Sequence, residues 1–237
     1  MTRARTVVID CFPERVRQYA DGFAVVAVDV LRATTTAVTA VQQGRRCYPV
    51  ASVEEATSLA ARLARPLLVG ELGGEVPSEF DIDNSPARVH CRNDVERPMV
   101  LLSTSGTRVL SEARKAEVAY AACLRNWSAT VRHLVERHPH IAVIGAGTRG
   151  EFREEDQLCC AWIAGALLDR GYQARDERTA ELVVRWRGLP AGAFDGNRST
   201  EFLRSIGRED DLAFVLAHVD DIDQACRLVD GELVALA

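Results

Sequence analysis

A chain of 237 residues, 47% of them hydrophobic, can bury one sizeable core, and its apolar runs alternate with helical segments, which points to a single α/β domain over residues 1–237. A formal net charge of −5 argues against general nucleic-acid binding, and no apolar run approaches the length needed to span a membrane. Lys115 is the only lysine, so anion recognition has to rely on the planar forks of arginine.

Met1 to Ile9 carries basic residues but no apolar h-region. The seven cysteines, Cys11, Cys47, Cys91, Cys123, Cys159, Cys160 and Cys226, include no C-x-x-C pair. They read as reduced thiols of a soluble cytoplasmic protein.

Thr6 to Ile9 is a short β-branched run expected to form the first strand, paired with the uncharged run Phe23 to Val28. The stretch Asp29-Val30-Leu31-Arg32-Ala33-Thr34-Thr35-Thr36 follows, and Ala37 to Val41 reads as the body of a helix. Strand, tight turn and helix start place a carboxylate, a guanidinium and three hydroxyls on one edge of a parallel sheet, where helix N-termini hold anions. The plainer reading is that Asp29 and the threonines cap the helix.

After Gly44, Cys47 to Val50 is the next strand, and Ser52 with Glu55 makes a capping box for a helix from Val53 to Leu63. Leu67 to Val69 is a brief strand. The loop from Gly70 to Asn84 holds three glycines, one proline and five carboxylates, and Ser85-Pro86 opens a further helix. Met99 to Leu102 is a buried strand leading into Ser103-Thr104-Ser105-Gly106-Thr107 and a helix from Arg108 to Ala113. Val118 to Ala121 and Ile141 to Ile144 are strands with a helix from Trp127 to Arg137 between them, and Gly145 to Gly150 forms a third turn. A helix from Glu155 to Arg170 stops at Gly171, a mixed segment to Asn197 gives no clear pattern, and Ser199 to Ile206 is a short helix. Asp230-Gly231 joins two final strands, Cys226 to Val229 and Glu232 to Leu236, as a hairpin. The expected fold is three layers, α/β/α, on a largely parallel sheet with a C-terminal hairpin.

Three turns therefore meet at the carboxyl edge of one sheet. The third matches G-x-G-x-x-G, but Glu151, Glu154, Glu155 and Asp156 crowd the helix start where a pyrophosphate would sit, so a dinucleotide site is disfavoured. Those carboxylates suit a divalent cation, with the helix dipole as the plainer explanation of Glu154 to Asp156. Asp29, Glu71, Asp81, Asp83, Glu155 and Asp156 form the pool of metal ligands. His90, His133, His138, His140 and His218 show no metal-ligand spacing, and there is no nucleophile elbow.

Taken together, the turns and the long loop resemble the 2-phosphosulfolactate phosphatase family. Asp29 to Thr36 fits its leading motif along its whole length. Gly70-Glu71 with Phe80-Asp81 and Asn84-Ser85-Pro86 resembles the second motif, Ser103 to Thr107 a Thr-Thr-Asn-Gly-Thr stretch, and Ala146-Gly147 with Gly150, Glu155 and Asp156 the last. The likeness covers most of the chain in order. It departs from the family at Leu72, where arginine is common, at Asp83, where glycine is usual, and at Ser105, which replaces an asparagine.

The resemblance implies magnesium-dependent hydrolysis of 2-phosphosulfolactate to sulfolactate and inorganic phosphate, a step known from the coenzyme M route. It implies catalytic roles for Asp29, Arg32 and Asp156. Thr34, Thr35, Thr36, Asn84, Ser85, Ser103, Thr104, Ser105, Gly106, Thr107 and Gly147 are its substrate contacts, and Mg2+ would rest on ligands drawn from Asp29, Glu71, Asp81, Glu155 and Asp156. Asp29 either positions metal and water or attacks phosphorus itself. Leu31 stands where a haloacid dehalogenase-like phosphatase has its second aspartate. Two other readings stay open: a phosphatase of another small phosphorylated hydroxy acid, and a homologue that binds anions without turnover. The expected partners are a small polyanionic phosphate ester and a second copy of the chain in a homodimer, with no nucleic acid and no membrane. Replacing Arg32 by alanine is expected to damage turnover far more than stability.

Overall fold

Period-two alternation sets the layers. Along the strand Ala24–Val28 every side chain is buried, with Val26 and Val28 in one apolar cluster and Val25 and Ala27 in the other. Successive strand residues point to opposite faces, so a strand apolar throughout needs helices on both sides.

The computed structural model describes residues 4–135 and 137–236. The reading of Met1 to Arg3 as part of a non-targeting start lies outside the described residues. The described strands are β1 (Thr6–Cys11), β2 (Ala24–Val28), β3 (Cys47–Val50), β4 (Leu67–Gly70), β5 (Met99–Leu102), β6 (Val118–Ala122), β7 (His140–Gly145), β8 (Gln173–Ala174), β9 (Ala225–Val229) and β10 (Glu232–Leu236). The α-helices are α1 (Ala33–Gln42), α2 (Val53–Ala60), α3 (Pro86–His90), α4 (Gly106–Ala113), α5 (Trp127–Leu134), α6 (Glu154–Leu168), α7 (Glu177–Trp186), α8 (Arg198–Ser205) and α9 (Glu209–Ala217).

All ten strands share one sheet in the order β4-β5-β3-β10-β9-β6-β2-β7-β1-β8. β4, β5 and β3 run parallel to one another, as do β6, β2, β7, β1 and β8. The hairpin β9-β10 lies between these groups, antiparallel to β6 on one side and to β3 on the other. The fold is the expected α/β/α arrangement, but its C-terminal hairpin is central. Three successive antiparallel pairings through the hairpin make the two half-sheets run in opposite senses, so the turn after β5 does not share one carboxyl edge with those after β2 and β7, contrary to expectation. Pairing with β3 runs through a single residue couple, Leu233 and Cys47, and both side chains are fully buried.

The expected pairing of β1 with β2 does not occur. β7 lies between them, because Ile141 to Ile144 are apolar towards both faces and take the interior position. The helix expected to reach Arg137 ends at Leu134, where Val135 turns to an extended ψ of 134°. α7 and α9 were not legible in the sequence. α7 is capped by Asp176, whose side chain accepts from Thr179 N, and it buries Val183 and Trp186. Ser52 accepts from Glu55 N as expected, while Glu55 Oε2 accepts from Ala51 N. Among the described residues no helix is long and apolar enough to cross a membrane.

Because Leu233 is 1% exposed and sits at the one couple joining the half-sheets, Leu233→Ala should destabilise the protein by about 3 kcal/mol, a typical core truncation. A denaturant midpoint unchanged from that of the parent would show that the junction is not a point of stability.

Candidate active site

The first turn is built mostly from its own hydroxyls. Thr34 Oγ1 accepts from Asp29 N and donates towards the carbonyls of Asp29 and Ala122, each at 2.8 Å. Thr35 Oγ1 donates to Val30 O and Thr36 Oγ1 to Arg32 O and Asn84 O. All three threonines are essentially fully buried. They brace the turn from within and are not presented to a substrate, which corrects the expectation for Thr34, Thr35 and Thr36. Asp29 does cap α1, since its Oδ1 accepts from Ala33 N at 3.1 Å. Its Oδ2 has no partner among the described residues.

The second turn closes against that free oxygen. A Cβ on Gly106 would collide with Asp29 Oδ2 and with Ala33, so only glycine allows α4 to start so close to the carboxylate. Ser103 and Thr107 are buried and bond each other across the turn: Thr107 N donates to Ser103 Oγ and Ser103 N to Thr107 Oγ1. Thr104 is tied to Glu71, whose two oxygens accept from Thr104 N and Thr104 Oγ1, both at 2.8 Å. Gly74 N also donates to Glu71, so this carboxylate organises the long loop. Ser105 is the exception in the turn: it is half-buried and its hydroxyl has no partner among the described residues.

The third turn supplies Asp156, which is 3% exposed. Its Oδ1 accepts from Val30 N at 2.8 Å and its Oδ2 from Gly147 N at 3.4 Å, so one carboxylate fastens the first turn to the third. Gly147 has φ +60°, and a Cβ there would meet Phe12 and Cys11. Glu155 is equally buried and accepts from Asn197 Nδ2 at 2.7 Å.

Asp29, Glu155 and Asp156 thus share one acidic wall. Burial pushes Asp29 up to about 7, with the charges of Glu71 and Glu155 adding to the rise against the Ala33 amide and Arg32. Burial raises Asp156 well above the carboxylate range, and Asp29 and Glu155 add to it. Glu155 is raised chiefly by burial too. Asp81 does not belong here. It is exposed, and its Oδ2 accepts from Leu68 N and pairs with Arg97 at 3.1 Å, near the opposite ends of β4 and β5.

Among the described residues no group of three or more His, Cys, Asp or Glu is placed to hold one metal ion. The donor set nevertheless fits magnesium, which keeps several waters and needs only one or two carboxylates beside phosphate oxygens. Ionising this wall would create negative charge that the neighbouring protein groups leave unmatched, which is the charge a cation would offset.

Arg32 is 7% exposed, and its Nη1 is clamped by Asp83 Oδ2 at 2.8 Å and Asp211 Oδ2 at 2.7 Å. Its Nε and Nη2 have no partner among the described residues and are not buried orphans. Asp211, on α9, is fully buried and also accepts from Ser85 Oγ at 2.5 Å, so Ser85 is committed to this clamp and to capping α3. Burial raises Asp211 despite those bonds. Burial acts in the same direction on Asp83, yet bonds from Arg208 and Arg32 hold it below its ordinary value. Asn84 is 4% exposed and its Oδ1 is buried without a partner. Asp211 and Arg208 escaped the sequence reading; the only trace was the run Gly207-Arg208-Glu209-Asp210-Asp211 after a helix stop.

The order and identity of the three converging turns can be set against known proteins. A family model described as 2-phosphosulpholactate phosphatase matches residues 11–229. The chain belongs to this family. A 2-phosphosulfolactate phosphatase of Methanothermobacter thermautotrophicus is 35% identical over 192 residues, covering 81% of this chain and 80% of the relative. A probable 2-phosphosulfolactate phosphatase of Pseudothermotoga lettingae is 35% identical over 191 residues, 80% of this chain and 82% of the relative. One from Synechococcus sp. (strain RCC307), also named probable, is 36% identical over 223 residues, 89% and 91% of the two chains. The matched range spans the motifs on which the likeness rests, and the clamp adds Asp211 and Arg208 outside those motifs.

The clamp changes the expectation for Arg32. Removing Arg32 leaves the fully buried Asp211 without a guanidinium, while Asp83 keeps Arg88 and Arg208, so Arg32→Ala should cost roughly 3 kcal/mol of stability as well as turnover. Chemical denaturation reads this directly, and a loss below 1 kcal/mol would mean the clamp is not formed in solution.

Proposed function

We propose that this protein is a magnesium-dependent phosphomonoesterase that hydrolyses 2-phosphosulfolactate to sulfolactate and inorganic phosphate, as in the coenzyme M route. The observation that carries the reading is Asp29: a half-buried carboxylate with an open Oδ2, standing where three strand-end turns meet beside the partly free guanidinium of Arg32. Family membership and the names of the relatives support the reaction type.

In this reading Arg32 Nε and Nη2 donate to the phosphoryl oxygens, with the Ser105 hydroxyl on the α4 side. Asp29 Oδ2 holds the attacking water and takes its proton, a task suited to a group whose pKa lies near 7. The water oxygen bonds to phosphorus, the ester P–O bond breaks, and the released alkoxide takes a proton from solvent to become the hydroxyl of sulfolactate while Asp29 returns its proton to solvent. Asp156 positions the first and third turns through its two amide bonds. One or two of Asp29, Glu155 and Asp156 would hold magnesium, which when bound supplies neutralisation of the phosphate charge.

A phosphatase of another small phosphorylated hydroxy acid is the second reading. It is favoured by Asp83, whose carboxylate already takes an Arg32 nitrogen that a substrate anion could otherwise use. Cytoplasmic residence and a homodimer belong to the same proposal; seven free cysteines fit a reducing compartment.

Phosphate release should be measured from 2-phosphosulfolactate and a panel of phosphorylated three-carbon acids, with magnesium and with a chelator. Release that needs magnesium and vanishes in Asp29→Asn is expected. Binding of these esters with no turnover of any would replace the phosphatase reading by that of an anion-binding homologue.

The raised Asp29 also fixes a pH dependence. Its protonated form stabilises the folded state fully below the ordinary value of 3.8, and that contribution is lost as pH rises through about 7. Magnesium binds only the ionised wall, so it should raise the melting temperature more at pH 8 than at pH 5. An equal rise at both would place the ion elsewhere.

A further inference from the structure

The clamp on Arg32 carries a second guanidinium. Asp83 Oδ2 accepts from Arg32 Nη1 and from Arg208 Nε, each at 2.8 Å, so the two nitrogens are separated by at most two hydrogen-bond lengths. Asp83 Oδ1 takes Arg88 Nη1 at 2.9 Å on its other side. Three guanidiniums therefore share two hydrogen-bonded carboxylates, Asp83 and Asp211, an excess of one within the bonded cluster, with Asp210 acting on Arg208 only through space.

Arg208 is the member best placed to use that excess. Its side chain is 30% exposed, against 7% for Arg32. Its Nη1 has only a long 3.4 Å contact to Gly207 O, and its Nη2 has no partner among the described residues. Asp83 fixes the Nε edge and leaves the other edge of the fork open. A planar fork held in this way loses little freedom on meeting a planar or tripodal oxyanion.

Resting on the reading of Arg32 as the phosphoryl contact, we propose that Arg208 forms a second anion subsite, taking a sulfonate or carboxylate carried by the phosphate ester beside its phosphate. Asp83 sets the spacing between the two guanidiniums and so matches it to anionic groups on neighbouring carbons of a short acid. The loop joining α8 to α9 thereby reads a substrate's second charge, while the motif turns read the phosphate.

Arg208→Ala and Arg208→Lys test this with three esters: 2-phosphosulfolactate, 2-phospholactate, which lacks the sulfonate, and p-nitrophenyl phosphate, which lacks both further anions. For Arg208→Ala, the loss in kcat/KM on 2-phosphosulfolactate should exceed the loss on p-nitrophenyl phosphate by about 10- to 100-fold, as expected for one charged hydrogen-bonding contact. The lysine variant should recover part of that difference. A loss on 2-phospholactate that follows 2-phosphosulfolactate assigns Arg208 to the carboxylate; one that follows p-nitrophenyl phosphate assigns it to the sulfonate. Equal losses on all three, or none, would overturn the subsite and leave Arg208 as a prop for Asp83. Calorimetric binding of sulfolactate, which carries no phosphate, keeps this separate from the phosphatase reading. Tenfold weaker binding to the alanine variant upholds the subsite even if no ester is turned over, and unchanged binding refutes it.

Discussion

The carboxyl edge of this sheet depends on one buried carboxylate bonded to main chain. Among the described residues no guanidinium bonds Asp156; its two oxygens take the amides of Val30 and Gly147, one from the turn after β2 and one from the turn after β7. Those strands are hydrogen-bonded neighbours, so the bonds lock two adjacent turns at a common height. Burying a charge is costly unless hydrogen bonds compensate it, and here two amides do so only in part, as the rise in Asp156 records. Asp29 stands in the same field and inherits the consequence. The acidity of the site is therefore a property of the turn architecture before any substrate arrives.

Arg32 is organised by the opposite rule. Its charge is buried with partners on both sides, Asp83 from the long loop and Asp211 from α9, so three distant parts of the chain have to meet before the guanidinium is fixed. One nitrogen of the fork is engaged by the protein and, among the described residues, two are left open. A long flexible side chain thus becomes a rigid donor pair, which costs less freedom on meeting an anion than a free arginine would. α9 is consequently part of the site although it lies far from the motifs in sequence.

The strands other than the two-residue β8 were legible because their signals are local: β-branched or apolar runs bounded by glycine, and Asp-Gly at the hairpin. Their order was not, since pairing of β1 and β2 with β7, and the central seat of β9-β10, depend on partners more than a hundred residues apart. The converging turns were also legible, because each follows a buried strand. The use of their hydroxyls was not. Thr34, Thr35, Thr36, Ser103 and Thr107 could have faced ligand or main chain, and only three-dimensional packing shows that they face inward. Asp81 misled for the same reason: its bonds to Leu68 N and Arg97 belong to the far side of the loop. Asp211 gave no signal, because three acids opening a helix are ordinary placement against its dipole.

The inward hydroxyls have a physical use of their own. A turn that must present backbone and one carboxylate at a fixed position cannot rest on long side chains, whose freedom would blur it. Threonine hydroxyls, one bond from a stiff β-branched carbon, satisfy the carbonyls of Asp29, Val30, Arg32, Asn84 and Ala122 without adding bulk. Gly106 completes the arrangement by letting α4 start against Asp29, where any side chain would occupy the space of Asp29 Oδ2. In the proposed reading, recognition is then left to few groups: an open edge of Arg32, the Ser105 hydroxyl and the acidic wall. With so few contacts, that reading makes discrimination among small phosphate esters depend on charge spacing around Arg32, which Asp83 and the arginines bound to it set.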